Sequence, residues 1–163
     1  MLYILKMKKK IVYIDMDGVL ADFDKAKEDV SEEVFKKYKG KYSHIPNYFK
    51  DLEPIYGAIE AVKFLDKYFE VYILSTPSWV NDTSLPDKLN WIKKYFGEDE
   101  GSLLHRKLIL SFDKTLNLGD YLIDDNKPVG VREFQGEFIH FGSDKFQNWD
   151  DVLKYLKEKE GIE

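Results

Sequence analysis

The chain has 163 residues, which is enough to bury a substantial core, and we expect one compact domain. It is 44% hydrophobic and 34% charged, and its formal net charge of −5 argues against broad binding to nucleic acids or anionic membranes. The sequence contains no cysteine, which excludes disulfides and thiolate zinc sites. No apolar run reaches the roughly 18–20 residues that span a bilayer. Residues 1–6 are too short and wrongly ordered for a signal peptide, so we expect a cytoplasmic protein.

The first predicted element is a strand from Ile11 to Ile14, an apolar run with no helical period. Such a composition is typical of a strand buried in a parallel sheet. Asp15 and Asp17 follow at once, and their carboxylates can converge because alternate residues of an extended chain point to the same side. Gly18 then permits a sharp turn. Two adjacent carboxylates repel each other, so the pair indicates either a bound cation or one acid that stays protonated.

Two other interpretations of this acidic pair were weighed against the sequence. A calcium-binding loop that began at Asp15 would require glycine at its sixth position and an acid at its twelfth. Those positions hold Leu20 and Ala26, so a calcium loop is excluded. An ordinary polar turn after a strand stays open on these two acids alone.

The rest of the chain alternates apolar runs of strand length with segments of helical period. Residues 21–39 are polar and helix-prone, residues 40–50 are the least regular part of the chain, and residues 78–87 are predicted to form a loop. This alternation implies a parallel sheet with right-handed crossovers and helices on both faces. We expect further strands at 71–74, 108–110, 121–123 and 138–141, and helices after Pro54, over 89–96 and over 149–156.

Chemically useful side chains follow four of the apolar runs, at the strand ends where parallel sheets bind ligands. Carboxylate oxygens suit Mg²⁺ better than zinc. Hydroxyl and ammonium groups suit a phosphate dianion, whose phosphorus a carboxylate could attack to give an aspartyl-phosphate. Four coincident placements favour a phosphate-processing site over ordinary turns and a solvated lysine. The residues concerned are Asp15, Asp17, Ser75, Thr76, Lys114, Asp124 and Asp125.

The segment from Asp15 to Phe23, DMDGVLADF, resembles motif I of the haloacid dehalogenase superfamily. More narrowly, it is similar to the 5'(3')-deoxyribonucleotidases. The similarity covers most of the chain from about residue 10 to residue 128. It continues through 52–58 (LEPIYGA), 74–77 (LSTP), 91–97 (WIKKYFG), 113–115 (DKT) and 122–125 (LIDD).

The resemblance implies an α/β fold, a Rossmann-like three-layer α/β/α sandwich with a central parallel sheet. It also implies a small helical cap inserted after the first strand, so that residues 1–163 form a single hydrolase domain with a short cap at about 24–50. This segment is shorter than the cap of the family members to which we compare it. The cap matters because it selects the leaving group and excludes water.

The resemblance also implies a metal site and two catalytic acids. Asp15 would be the nucleophile and a Mg²⁺ ligand. Asp17 would be the general acid and base, with its backbone carbonyl on the metal. Asp125 would complete the Mg²⁺ site, with Asp124 adjacent as a further ligand.

The remaining implied roles concern the substrate. Ser75, with Thr76 beside it, would bind the phosphoryl group, and Lys114 would stabilise its charge. Gly18 would lie against the substrate. Phe23 matches a position where the family packs an aromatic ring near the base, although plain core packing explains this residue equally well.

We therefore expect an enzyme whose partner is a small phosphate monoester, most specifically a deoxyribonucleotide, and neither a nucleic-acid polymer nor a membrane. A sugar-phosphate phosphatase of the same superfamily remains the alternative, and a homodimer stays open. A receiver-type signalling module is disfavoured, because receivers place paired acids first and the phosphorylated aspartate alone on a middle strand. Four aromatic residues could line a base pocket or serve the core: Tyr42, Tyr48, Phe49 and Trp79.

Overall fold

The computed structural model describes residues 8–126 and 133–163. The expectation about a signal peptide in residues 1–6 therefore lies outside the described residues. The end of the similar region, residues 127 and 128, lies outside them too. Within the described ranges, no helix has the length and apolar character needed to cross a membrane.

Among the described residues, five parallel strands form one sheet in the order β3-β2-β1-β4-β5, which confirms the α/β Rossmann-like fold. β1 is central, and Ile14 pairs with Ile73 on one side and with Ile123 on the other. This register brings the carboxyl ends of three strands level. Each strand coincides with an apolar run predicted above. Their bounds are β1 Ile11–Ile14, β2 Glu70–Ser75, β3 Leu108–Leu110, β4 Tyr121–Asp124 and β5 Glu137–His140.

In the described part of the chain, four α-helices accompany the sheet, and three of them supply side chains to the main core. Two buried indoles tie this core to the loops at the strand ends. Trp91 Nε1 donates to the carbonyl of Leu52 at 2.7 Å, and Trp149 Nε1 donates to the carbonyl of Val19 at 3.0 Å. The helices are α1 Glu32–Lys37, α2 Ala58–Tyr68, α3 Ser84–Phe96 and α4 Trp149–Glu160.

The opposite face of the sheet carries a smaller cluster built on Tyr13, Leu74 and Leu122. Within the described ranges this cluster contains no residue of an α-helix. A loop covers part of it, because the Tyr13 hydroxyl donates to the carbonyl of Leu118 at 2.9 Å. Gly119 lies against the same ring, where a Cβ would approach Tyr13 Cε2 to 2.5 Å.

Helix α3 begins earlier than its sequence pattern predicted. The prediction of a loop over residues 78–87 was wrong at its end, because Ser84 to Asp87 form the first turn of the helix. Pro86 does not prevent this, since the first turn of a helix needs no backbone N–H donors. The side chain of Asp87 accepts a hydrogen bond from Thr83 Oγ1 at 2.9 Å, which stabilises this end.

The segment 24–50 leaves and rejoins the sheet domain through two paired stretches. Asp22 N donates to the Glu53 carbonyl at 2.7 Å, and Ile55 N donates to the Leu20 carbonyl at 2.8 Å. Inside the segment, the predicted helical run divides into a 3-10 helix, Lys25–Asp29, and helix α1. Ser31 causes the division, because its extended backbone and its Oγ bond to Val34 N at 3.3 Å start a new helix.

Candidate active site

The turn after β1 is organised around the carbonyl of Met16, which accepts hydrogen bonds from Val19, Leu20 and Ala21. Asp15 N donates to the carbonyl of Ile123 at 2.9 Å, so this residue still follows the sheet. The turn reverses the chain immediately after the two acids. It thereby leaves both carboxylates at the carboxyl end of the central strand.

Gly18 is required by this turn for two reasons. Its φ of 74° lies in the left-handed region, which side chains disfavour. A Cβ at this position would also approach Oδ2 of Asp125 to 2.3 Å. Gly18 therefore lets the turn after β1 lie directly against the loop after β4.

Lys114 forms ion pairs with two aspartates at the carboxyl ends of different strands, β1 and β4. Its Nζ lies 2.8 Å from Oδ1 of Asp15 and 2.7 Å from Oδ2 of Asp124. All three side chains are buried. A short 3-10 helix, Lys114–Leu116, presents the lysine after Asp113 accepts a hydrogen bond from Thr115 N. The structure thus brings together groups that are about 100 residues apart in the sequence.

Three carboxylates form a cluster suited to a hard cation. Asp15, Asp124 and Asp125 each place an oxygen within 4.8 Å of the others. Within the described residues, Oδ1 of Asp17 is buried without a hydrogen-bond partner, and Oδ1 of Asp15 has only the ion-pair contact with Lys114. Buried oxygens of this kind are costly unless a cation or a proton satisfies them. An all-oxygen donor set fits Mg²⁺. The carboxylate of Asp17 lies outside the cluster, which is compatible with the expectation that Asp17 would contact the metal through its backbone carbonyl.

A fully buried lysine in α3 was missed by the sequence reasoning. Lys88 Nζ donates to Oδ2 of Asp17 and, at 3.0 Å, to Oγ of Ser75. It also lies 4.5 Å from the ring centroid of Phe49. A signal was present: the buried residues of α3 follow a helical period that places this lysine on the inner face. They are Ser84, Asp87, Lys88, Trp91 and Ile92.

Burial and mutual repulsion shift the pKa values of the acids. Burial raises the pKa of Asp17, the charge of Asp15 adds to this shift, and the nearby Lys88 opposes it. Burial, followed by the charge of Asp15, raises the pKa of Asp124 to about 7. The same two causes raise the pKa of Asp125. The site therefore holds protons readily when it carries no cation.

The pKa of Lys114 is shifted by two opposing influences. Burial alone would lower it, but the adjacent Asp15 and Asp124 more than offset burial, and the net shift is upward. The ammonium group therefore stays charged throughout the physiological pH range. A permanent positive charge lies beside the candidate nucleophile.

A cavity of about 480 Å³ opens above these groups. Its volume falls within the range of roughly 300–1,000 Å³ that is typical of small-molecule sites. Asp15, Lys114 and Thr76 line it, whereas the fully buried Ser75 does not. The hydroxyl of Ser75 instead accepts the bond from Lys88. Of the other predicted site residues, the cavity is lined by Asp17, Gly18, Phe23, Asp124 and Asp125.

The sequence resemblance is supported by comparison with known proteins. Residues 36–158 match the family described as 5' nucleotidase, deoxy (pyrimidine), cytosolic type C protein. The chain is 45% identical over 151 residues to a Vibrio phage KVP40 protein named "putative 5'(3')-deoxyribonucleotidase", and the alignment covers 93% of this chain and 86% of that one. The chain belongs to the 5'(3')-deoxyribonucleotidase family. Members of this family are hydrolases of phosphoric monoesters, and the chain is an enzyme of that class.

Two human proteins are also similar to this member of the 5'(3')-deoxyribonucleotidase family. The cytosolic 5'(3')-deoxyribonucleotidase is 28% identical over 163 residues, which covers 79% of this chain and 77% of the human protein. The mitochondrial 5'(3')-deoxyribonucleotidase is 27% identical over 176 residues, which covers 87% of this chain and 68% of the human protein.

In this 5'(3')-deoxyribonucleotidase family member, Phe23 and the aromatic residues of segment 24–50 pack mainly on one another. Tyr48 and Phe49 are buried, and the ring of Phe23 lies 4.9 Å from that of Tyr48 and 5.9 Å from that of Phe49. Tyr42 stacks on Phe35 at 4.5 Å. Three of the four aromatics considered for a base pocket therefore have packing roles, and of these three Phe49 also lines the cavity. The fourth, Trp79, is 80% exposed.

Hydrogen bonds also hold segment 24–50 over the cavity. Nδ2 of the buried Asn81 donates to the carbonyls of Ser43, at 3.2 Å, and Ile45, at 2.8 Å. Asn47 N donates to Oγ1 of Thr83 at 2.7 Å. The segment is thus fastened to the start of α3, the helix that carries Lys88.

Proposed function

We propose that the protein is a Mg²⁺-dependent phosphomonoesterase that dephosphorylates deoxyribonucleoside monophosphates through an aspartyl-phosphate at Asp15. One observation carries this proposal: Lys114 lies against Asp15 and Asp124 at the base of a cavity where a buried oxygen of Asp17 has no hydrogen-bond partner among the described residues. The names of the relatives support a nucleotide substrate.

In the first step, an oxygen of Asp15 forms a bond to phosphorus while the bond from phosphorus to the leaving oxygen breaks. Asp17 donates its proton to that leaving oxygen, and burial supports this role by raising the pKa of Asp17. The leaving nucleoside departs neutral. Lys114 holds Asp15 in place and balances the charge that collects on the phosphoryl oxygens.

In the second step, Asp17 accepts a proton from a water molecule as the water oxygen attacks phosphorus. The bond between phosphorus and Asp15 breaks, which releases inorganic phosphate and restores the carboxylate. Lys88 bonds to Asp17 and Ser75 and thereby fixes the direction in which the acid points. This buried contact makes Lys88 a positioning residue.

Mg²⁺ held by Asp15, Asp124, Asp125 and the carbonyl of Asp17 would shield the phosphate dianion from the attacking carboxylate. Other residues of the cavity would bind the phosphoryl group of the substrate. The exposed Thr76 at the cavity wall is the hydroxyl best placed for the phosphoryl group, with Ser75 behind it. Gly18 allows a close approach to the same region.

We also propose that segment 24–50 acts as a cap on a single hydrolase domain formed by the whole chain. Its paired entry and exit at Asp22 and Glu53 and its bonds to Asn81 support this proposal. A cytoplasmic location remains a prediction from the sequence, and a homodimer remains open.

The test is phosphate release from a panel of deoxyribonucleoside monophosphates and sugar phosphates, with Mg²⁺ and with EDTA. We expect the nucleotides to be the best substrates, with activity lost in EDTA. Asp15→Asn should abolish turnover in a folded protein, whereas the matched change Asp99→Asn, in an exposed loop, should keep it. Faster phosphate release from a sugar phosphate than from every nucleotide would contradict the proposed substrate. An active Asp15→Asn variant would contradict the assignment of Asp15 as the nucleophile.

A further inference from the structure

Two large aromatic side chains lie exposed and in contact beside the cavity. Trp79 is 80% exposed and Phe112 is 56% exposed. Their ring centroids lie 5.2 Å apart with the ring planes at 69°, an edge-to-face contact. Exposed rings grouped at the mouth of a cavity typically mark a binding surface. We call Trp79 and Phe112 the rim pair.

The rim pair lies close to the phosphate-binding groups along the chain. Trp79 is three residues beyond Thr76, and Phe112 is two residues before Lys114 and itself lines the cavity. An extended residue spans about 3.3–3.6 Å, so the Cα atoms of Trp79 and Phe112 lie within about 11 Å of the Cα atoms of Thr76 and Lys114. The base of a nucleoside monophosphate is separated from its phosphate by one pentose. A substrate with its phosphate at Lys114 can therefore place its base at the rim pair.

Phe23 and Phe49 also line the cavity, but these rings and that of Tyr48 offer less open surface than the rim pair. The faces of Phe23 and Tyr48 contact each other and Phe49, and the ammonium group of Lys27 lies 5.4 Å from the ring centroid of Phe23. Lys88 covers Phe49 in the same way. Among residues 8–126 and 133–163, the rim pair has no aromatic or ammonium partner outside itself.

We propose that Trp79 and Phe112 bind the nucleobase of the substrate by stacking, and so select nucleotides over sugar phosphates that lack a base. This inference rests on the proposed function and assigns the base to the loops after β2 and β3 rather than to the aromatic cluster of segment 24–50. Every base has a π-face, so stacking selects for the presence of a base more than for its identity.

The experiment compares thymidine 5'-monophosphate with 2-deoxyribose 5-phosphate, which has a hydroxyl group in place of the base. The measured quantity is the ratio of their kcat/KM values. In the wild type this ratio should be well above one. Trp79→Ala and Phe112→Ala should each lower it about tenfold, mainly through the KM for the nucleotide; tenfold corresponds to about 1.4 kcal/mol, within the range for one base stacked on an aromatic ring.

Further variants separate stacking from structural effects. Trp79→Phe and Phe112→Tyr keep an aromatic face and should retain most of the ratio, whereas Phe112→Leu keeps apolar bulk and should lose it. Tyr56→Ala is the matched control, because Tyr56 is 94% exposed and lies outside the cavity lining. Thermal unfolding of each variant shows that the protein is folded.

The outcomes are distinct for the two proposals. A wild type that hydrolyses thymidine 5'-monophosphate, with a ratio that the rim-pair variants do not change, overturns this inference and leaves the proposed function intact. A wild-type ratio near one also overturns the inference. A wild type that releases phosphate from sugar phosphates and from no nucleotide overturns both.

Discussion

The buried contact between Lys88 and Asp17 predicts a large and specific loss of stability when the lysine is replaced. Lys88→Met removes an ammonium group that is completely buried and that bonds to Asp17 and Ser75. Removing one partner of a fully buried ion pair costs about 3–5 kcal/mol, because the other charge is left uncompensated. The Asp17 side chain is 24% exposed and can regain some hydration, and its raised pKa lets it take up a proton, so we expect a smaller loss of about 2–3 kcal/mol.

Urea denaturation of the metal-free protein measures this change in the free energy of unfolding. Lys93→Met is the matched control: it removes a lysine from an exposed position of the same helix and should change stability by less than about 0.5 kcal/mol. The double variant Lys88→Met/Asp17→Asn removes both charges. It should recover most of the loss, because no buried charge is then left without a partner.

Two outcomes would contradict a stabilising ion pair between Lys88 and Asp17. If Lys88→Met were as stable as the wild type, the lysine would not compensate a charged Asp17 in the folded protein. If the double variant were less stable than Lys88→Met by the full cost of Asp17→Asn, the two effects would be additive. Additive effects would mean that the two side chains do not interact.

Three other perturbations have expected outcomes. Gly18→Ala should lower the free energy of unfolding by about 1–3 kcal/mol and impair turnover, because the residue has a φ of 74° and its Cβ would collide with Asp125; wild-type kinetics would contradict this close approach. Burial raises the pKa values of Asp17, Asp124 and Asp125, so the folded metal-free protein retains protons that the unfolded chain releases. The free energy of unfolding in EDTA should therefore fall as the pH rises from about 5 to about 7.5, and Mg²⁺ should stabilise the protein more at the upper end; thermal unfolding that shows a rise in EDTA would have the wrong sign. Asn81→Ala should cost about 1–3 kcal/mol and speed amide hydrogen exchange in residues 43–47, since two carbonyls of that segment lose their donor; unchanged exchange there would show that Asn81 does not hold the segment.

The sheet and the meeting of its strand ends could be predicted from the sequence because both depend on local patterns. Short apolar runs such as Val71–Leu74 report burial directly, and the alternation with helices implies parallel strands. The positions of Asp15 and Lys114 then follow from topology, because parallel strands end at one edge of the sheet. The structure places these two groups 2.8 Å apart.

The parts that escaped prediction depend on contacts between distant segments. Lys88 lies next to a stretch rich in Ser, Pro and Asp that reads as a loop, and only the early start of α3 turns it towards Asp17. The hydrogen bonds from Asn81 to Ser43 and Ile45 join residues more than 35 positions apart, and no sequence motif predicts them. The contact between Trp79 and Phe112 likewise joins two separate loops.

The most direct test of the central claim is to identify the residue that carries the phosphoryl group during turnover. The wild-type protein is mixed with Mg²⁺ and a deoxyribonucleoside monophosphate, quenched in acid within the first turnover, and digested for mass spectrometry. The account predicts one phosphoryl group on the peptide that contains Asp15, and none in Asp15→Asn. Phosphate release without any phosphorylated peptide, or with the label on another residue, would contradict it.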